Sequence, residues 1–216
     1  VITGEDNCLV SGRQALLRGG VEESHIRRLA SGVEIRDWTI GDGNFCIWPN
    51  KKSGERLDEA NIADVVKYLW PFRAVLRARK AFGVPVEQKG IPWWALREVY
   101  KERLETPLTI AYALIATHNH FVIDHGEMVF RQSAPIIKLP ADAVEDDYLA
   151  ILAFLNSSTV CFWMKQVSHQ KQMMGGDGIR ISESSKVPFE YSGTALKAMP
   201  VAPLAEAQRA RLVSCG

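Results

Sequence analysis

Three histidines, an asparagine and an aspartate crowd into THNHFVIDHG, residues 117–126. Imidazole and carboxylate together are the donor set of a zinc site or of a metal-dependent nuclease. Read as a strand, the stretch places His118 and His120, two apart, on one face. Asp124 could join them, and His125 lies past a tight turn at His125-Gly126-Glu127. A zinc site needs three or four ligands at about 2 Å. Nothing upstream or downstream supplies a cysteine or carboxylate pair at ligand spacing. A strand whose polar side chains satisfy hydrogen bonds is the expectation, and a metal site the alternative.

Charge offers a second kind of chemistry. The net charge is +1, yet residues 67–103 hold nine basic and three acidic groups, and residues 165–216 hold seven and four. Residues 1–66 and 104–164 are acidic in balance. A near-neutral total can therefore hide a positive face, the footprint a polyanion needs. An acidic strip at 142–147 is a further candidate contact surface.

These groups need elements to position them. Cys8-Leu9-Val10 is apolar, and Ser11 could cap a short helix over Arg13 to Arg18, stopped by Gly19-Gly20. Ile26 to Ile40 reads as extended, broken at Ser31-Gly32; Gly41 to Asn44 turns the chain into Phe45 to Trp48, suggesting a hairpin. Asp58 to Lys80 carries the clearest helical period, with Val65, Leu69, Phe72 and Leu76 on the apolar side. Arg73, Arg77 and Lys80 form a basic stripe one step over, and Pro71 should bend or split the helix. A second helix is expected from Pro92 to Leu104, with Arg97 and Lys101 on one face and Trp93, Leu96 and Tyr100 on another. Residues 108–139 look β-rich. Residues 145–167 look helical, with a break and new cap at Asn156-Ser157-Ser158. Residues 168–187 read as a polar, glycine-rich loop, and Leu204 to Val213 as a short surface helix.

The expected fold is one α+β domain over residues 1–216, with a mixed, mostly antiparallel sheet, packed helices and a projecting Gln/Gly-rich loop. Cys8, Cys46, Cys161 and Cys215 form no C-x-x-C pair, so reduced, buried thiols in a cytoplasmic protein are expected. No apolar run approaches the ~18 residues of a membrane span. The chain opens at Val1 without an initiator methionine and reads as a piece of a longer protein. The tryptophans Trp38, Trp48, Trp70, Trp93, Trp94 and Trp163 could stack on unpaired bases, but core positions are the expectation.

Three stretches carry a resemblance: TPLTIAYALIATHNHFVIDHGEMVFRQSAPIIKLP (106–140), LAILAFLNSSTVCFWMKQVSHQK (149–171) and VPFEYSGTALKAMPVAP (187–203). They resemble the C-terminal part of BREX phage-defence adenine-specific DNA methyltransferases and, more loosely, TaqI-like specificity domains. ITGEDNCLV (2–10), LASGVEIRDWTI with FCIWP (29–49) and PWWALRE (92–98) look like the start of that region and its tryptophan-containing helix. The resemblance implies that the histidine stretch is scaffold. Amino-methyltransferases also need an Asp/Asn-Pro-Pro-aromatic turn, and none of the ten prolines here follows Asp or Asn. A strand, glycine-rich turn and later acidic residue for the cofactor ribose are missing too. The chain is therefore expected to be a target recognition domain. S-adenosylmethionine would bind in the parent's own N-terminal methyltransferase domain, and no catalytic residue or metal is expected here.

On that resemblance, double-stranded DNA is the expected partner, with other defence-system subunits as further candidates and no membrane. Arg73, Arg77, Lys80, Arg97 and Lys101 are the candidate phosphate contacts, fixing register; a plain solvated face is the alternative. Base reading falls to the 165–186 segment. Gln166, Gln170 and Gln172 carry amides suited to adenine; Lys171 and Arg180 suit guanine; His169 lies among them. Its continuation QKQMMGGDGIR departs from the family's forms. Arg36, in the turn Glu34 to Trp38, is a third candidate, with a surface pair to Asp37 as its alternative. Two other functions stay open: a protein-docking module using the acidic strip and basic helix, and a metal-dependent nuclease at 118–125.

Overall fold

The computed structural model describes residues 1–36, 38–171, 187–201 and 205–216. It is α+β, with helices and mixed, mostly antiparallel sheets, as expected. The chain divides into two compact units, each assembled from separated stretches. The first comprises Val1–Ala30, Asp42–Pro107 and Gly126–Gln132; the second comprises Ser31–Gly41, Leu108–His125 and Ser133–Gly216.

The first unit is organised by a four-stranded sheet in the order Val10–Ser11, Asn44–Ile47, Ile26–Ala30, Met128–Phe130. Its pairs are antiparallel except the last, which runs parallel with Met128 opposite Arg28. The strands expected around the glycine-rich joint do pair, Ile26 facing Ile47. They are joined through a stretch that belongs to the second unit. The helix Arg13–Arg18 forms as read, but Gly12 rather than Ser11 occupies its N-cap. Leu9, Leu16, Leu29, Ile47, Trp48, Val65, Leu69 and Leu76 are buried together in one cluster. Full burial of such side chains is worth roughly 1.5–3 kcal/mol each.

Pro71 splits the expected long helix. The chain runs as Ala63–Leu69, a 3-10 turn Trp70–Phe72, and then Arg73–Ala78. Val65, Leu69 and Leu76 are fully buried as the period requires. Phe72, at the break, is exposed instead. Lys80 is a correction: the helix ends at Ala78, and Lys80 starts a two-stranded hairpin, Lys80–Ala81 with Val84–Pro85.

The helix expected from Pro92 to Leu104 does not form. The segment makes a turn closed by the Ala95 amide on the Pro92 carbonyl (3.0 Å), a β-bridge from Glu98 to Ile2, and a 3-10 turn at Lys101–Arg103. Trp93, Trp94, Ala95 and Leu96 are all buried, and four consecutive residues cannot share one helical face. The carbonyls of Trp93 and Ala95 bond the buried guanidinium of Arg79, at 2.7 and 2.9 Å. Arg79 also donates to Leu76 O (2.9 Å) and Thr3 O (2.7 Å), so one side chain joins three stretches of chain. Burial, the largest cause, lowers its pKa from the ordinary arginine value.

The second unit contains a three-stranded antiparallel sheet in the order Phe121–Asp124, Thr109–Tyr112, Ile136–Ile137. The helix Glu145–Leu155 packs on it, and the C-terminal helix Glu206–Val213 packs on that helix. The break expected at Asn156–Ser158 is present: Ser157 caps the next helix, Ser158–Val167, by accepting from Val160 N. A second sheet orders His169–Gln170, Phe189–Glu190 and Ile115–Ala116. A small hairpin pairs Ile35–Arg36 with Thr39–Ile40. The turn His125 to Glu127 follows the Phe121–Asp124 strand as expected. Its Gly126 has φ +91°, and a Cβ there would sit 3.2 Å from Pro107. No single helix is long and apolar enough to cross a membrane among the described residues.

Candidate nucleic-acid interface

The histidine stretch is tied into its unit by hydrogen bonds. Residues 117–120 form a bend before the strand rather than part of it. Asn119 is buried and donates to Leu155 O (2.5 Å), at the end of the Glu145–Leu155 helix. Asn156 answers from the helix break: its Oδ1 accepts from Phe121 N (3.0 Å) and its Nδ2 donates to Phe121 O (2.9 Å). Two asparagines thus tie the strand's start to the joint between two helices. The His118 and His120 rings lie 4.1 Å apart, the first exposed and the second buried. His125 pairs instead with Glu145 (2.9 Å). Among the described residues, no three His, Cys, Asp or Glu side chains are grouped to hold a metal ion.

The candidate phosphate contacts all lie in the first unit. Arg73 and Arg77, four apart, share a face of the Arg73–Ala78 helix. Arg73 stacks over the Trp70 ring at 4.6 Å, and Trp70 is 56% exposed, edge-on to buried Trp93. The cation-π contact holds the guanidinium flat on the surface, where it can still reach a phosphate. A shallow groove of about 520 Å³ runs along Trp70, Pro71, Arg73, Ala74 and Arg77. Arg77 pairs with Glu87 at 3.0 Å, both half-exposed, a contact weak enough for a phosphate to displace.

Lys80 and Lys101 are exposed, but on a hairpin and a 3-10 turn rather than on helix faces. Arg97 is drawn inward: its Nη1 reaches Lys80 O (3.5 Å), its Nε is 3.9 Å from Glu98, and it packs on Gly4. The face expected to unite Arg97 with Lys101 does not exist, because the helix that would have made it is absent.

Those candidate reading residues that the structure describes, Arg36, Gln166, His169, Gln170 and Lys171, lie in the second unit. Gln166 is exposed on the Ser158–Val167 helix. His169 and Gln170 are a correction to the expected loop: they form an exposed strand paired with Glu190 and Phe189. Lys171 follows, its amide bonded to Pro188 O (2.7 Å) and its ammonium paired with Glu190 (2.5 Å). Lys165 lies 5.9 Å from the Phe189 ring. Gln172, Arg180 and residues 172–186 of the projecting loop expected at 165–186 lie outside the described residues. Arg36 donates to Gly32 O (2.6 Å) and Ile35 O (2.5 Å), so its guanidinium closes its own hairpin. Its expected partner Asp37 lies outside the described residues.

The tryptophans divide. Trp48, Trp93 and Trp94 are core as expected, whereas Trp70 and Trp38 are exposed. The cysteines divide as well: Cys8 and Cys46 are buried, Cys161 is partly so and Cys215 is exposed. Burial pushes the Cys46 thiol up to about 12, which leaves it an inert thiol. Sequence reasoning missed Phe82 and Lys89, whose ammonium lies 5.0 Å from the Phe82 ring. The signal was a two-residue Phe-Gly step followed by Val-Pro, short enough for a hairpin turn. It also passed over Arg79, which looks like one more cation in a basic run.

No family model matches the chain. The adenine-specific methyltransferase PglX of Streptomyces coelicolor is 33% identical over 204 residues, covering 93% of this chain. That match spans 17% of the relative's length. A solved structure of the type IIL restriction-modification enzyme MmeI, determined in complex with DNA, shares the fold across 99% of this chain, with a TM-score of 0.65 and 13% identity. The chain corresponds to 26% of that protein. The similarity to an adenine-specific methyltransferase therefore runs along nearly the whole sequence, and the fold is shared with a segment of MmeI.

Proposed function

We propose that this chain is the DNA target recognition module of an adenine-N6 methyltransferase of a BREX-like or restriction-modification system, acting in the cytoplasm. The observation that carries it is the 33% identity over 93% of the chain to a 17% portion of an adenine-specific methyltransferase. The sequence itself lacks the Asp/Asn-Pro-Pro-aromatic turn that such chemistry uses. Parallel pairing among the described strands is confined to Ile26–Ala30 with Met128–Phe130, and neither strand runs through a glycine-rich turn into a helix. No residue here is therefore assigned to S-adenosylmethionine; a catalytic domain of the same enzyme would hold it.

A methyltransferase must take adenine out of the stack to reach its exocyclic nitrogen, and a specificity module chooses which adenine. Arg73, Arg77, Lys80 and Lys101, with Arg97 in support, would hold phosphates and fix register. Gln166, His169, Gln170, Lys171, Gln172, Arg180 and Arg36 would face base edges, amides to adenine and cations to guanine. Two of the four acids in the strip that could serve docking are engaged within the unit: Asp147 binds Arg209 (2.5 Å) and Glu145 binds His125 (2.9 Å).

The test is salt-dependent binding of duplex DNA by the intact methyltransferase. The logarithm of affinity should fall linearly with the logarithm of salt, by about 0.9 per phosphate neutralised. The double variant Arg73→Ala/Arg77→Ala should weaken all sequences alike and reduce the slope by about 2. No detectable duplex binding at low salt would sink the proposal. A changed methylation sequence in the double variant would overturn the division of roles.

A further inference from the structure

Lys80–Ala81 and Val84–Pro85 pair antiparallel, with Ala81 opposite Val84. That register leaves Phe82-Gly83 as a two-residue loop, and both residues are left-handed, at φ +53° and +81°. This is the type I′ geometry, which strongly favours Asn-Gly because an aromatic side chain is strained at positive φ. Strain of this kind persists where function calls for it. Phe82 gains nothing in the fold to offset it, being 89% exposed. Among the described residues, the group over its ring is a cation, the Lys89 ammonium at 5.0 Å.

The surroundings match a polyanion. Residues 67–90 carry six basic side chains and one acid, Glu87. Arg79 is buried, while Lys67, Arg77, Lys80 and Lys89 are exposed and Arg73 is half-exposed. The hairpin is fixed to the helix bearing Arg73 and Arg77: Val86 N donates to Arg79 O (3.1 Å), and Arg77 pairs with Glu87. A solvent-facing ring on a cationic support is the construction of a side chain that inserts between stacked bases. Among the described residues, the one other non-glycine at positive φ is Trp38, also an exposed aromatic in a two-residue hairpin connection.

Resting on the DNA reading above, we infer that Phe82 is a wedge that stacks into a base step of the bound duplex while the cations around it hold the phosphates. Unstacking a step helps to bend or open the duplex beside the target base.

Phe82→Asn separates this role from a structural one. Asparagine suits the left-handed turn, so the variant should melt at a higher temperature than the parent. It should bind duplex DNA about tenfold more weakly, having lost a stacked base. The salt slope should not change, since no phosphate contact is removed. The probe is a duplex carrying the site that the intact enzyme methylates, with permanganate reporting unstacked thymines. The wild-type enzyme should give reactive thymines at a step distinct from the flipped adenine, and Phe82→Asn should lose them while Phe82→Trp keeps them. Unchanged affinity and permanganate pattern in Phe82→Asn would overturn the wedge while leaving the DNA reading intact, as would loss of a protein partner alone. Absence of duplex binding by the wild type would overturn both.

Discussion

Arg79 is buried and bonded to the carbonyls of Thr3, Leu76, Trp93 and Ala95, and among the described residues it forms no ion pair with a carboxylate. Hydrogen bonds to a charged group each contribute about 1.5–3 kcal/mol, and removing one partner strands buried acceptors. Arg79→Ala should cost about 3–5 kcal/mol in a denaturant melt. Arg79→Lys should recover little, because an ammonium lacks the planar fork that spans these carbonyls. A second, partly buried charge is Asp64. Asp64 accepts from Glu22 N (2.8 Å) and pairs with His25. Desolvation raises its pKa, but the bonds from Glu22, His25 and Val65 outweigh it, so the net shift is downward. A depressed carboxylate pKa contributes stability above the unfolded value of about 3.9, and that contribution fades as pH falls through the lower, folded value. Asp64→Asn should therefore lower stability at pH 7 and flatten its decline below about pH 4, which melts across that range would show.

At the scale of elements, the joint between Glu145–Leu155 and Ser158–Val167 is made by side chains that imitate backbone. Asn156 exchanges two bonds with Phe121 as a neighbouring strand would. Asn156→Ala should destabilise by about 2–3 kcal/mol, and added zinc or a chelator should leave the melt unchanged. This break was legible because Asn-Ser-Ser supplies a cap between two apolar periods, and the short helix at Arg13 was legible because glycines stop it. Pro71 announced a split, since a proline interrupts the hydrogen-bond ladder. The segment 92–104 was misread because its tryptophans satisfy a helical period locally while tertiary burial recruits all of them, and its carbonyls are taken by an arginine from another stretch. His169 and Gln170 looked like loop because two polar residues carry no alternation, and their strand exists only through Glu190 and Phe189. Of the candidate site, the Arg73 and Arg77 face was visible as spacing, whereas Arg97 was misplaced with its helix and Phe82 was hidden by being an ordinary apolar letter.

Across the whole molecule, the candidate phosphate contacts fall in one unit and the described candidate base readers in the other. Substitutions in the two should differ in kind. Gln166→Ala with Gln170→Ala should change or relax the methylated sequence at a modest loss of affinity, read by sequencing modified DNA from cells carrying the variant. The Arg73 and Arg77 changes should instead lower methylation at every site together.

Every residue of the first unit precedes Ser133, although the chain moves between the units five times. A single genetic exchange just after Gln132 would thus graft a foreign tail carrying Gln166 to Lys171 onto an undisturbed cationic frame. The recipient would still contribute the strands at Thr109–Tyr112 and Phe121–Asp124, so the incoming tail must bring a residue able to answer Phe121 as Asn156 does. Such a tail must also keep the pairing of Ile136–Ile137 with Thr109–Tyr112 and of Phe189–Glu190 with Ile115–Ala116, so the hybrid's folding would be gated by that whole seam.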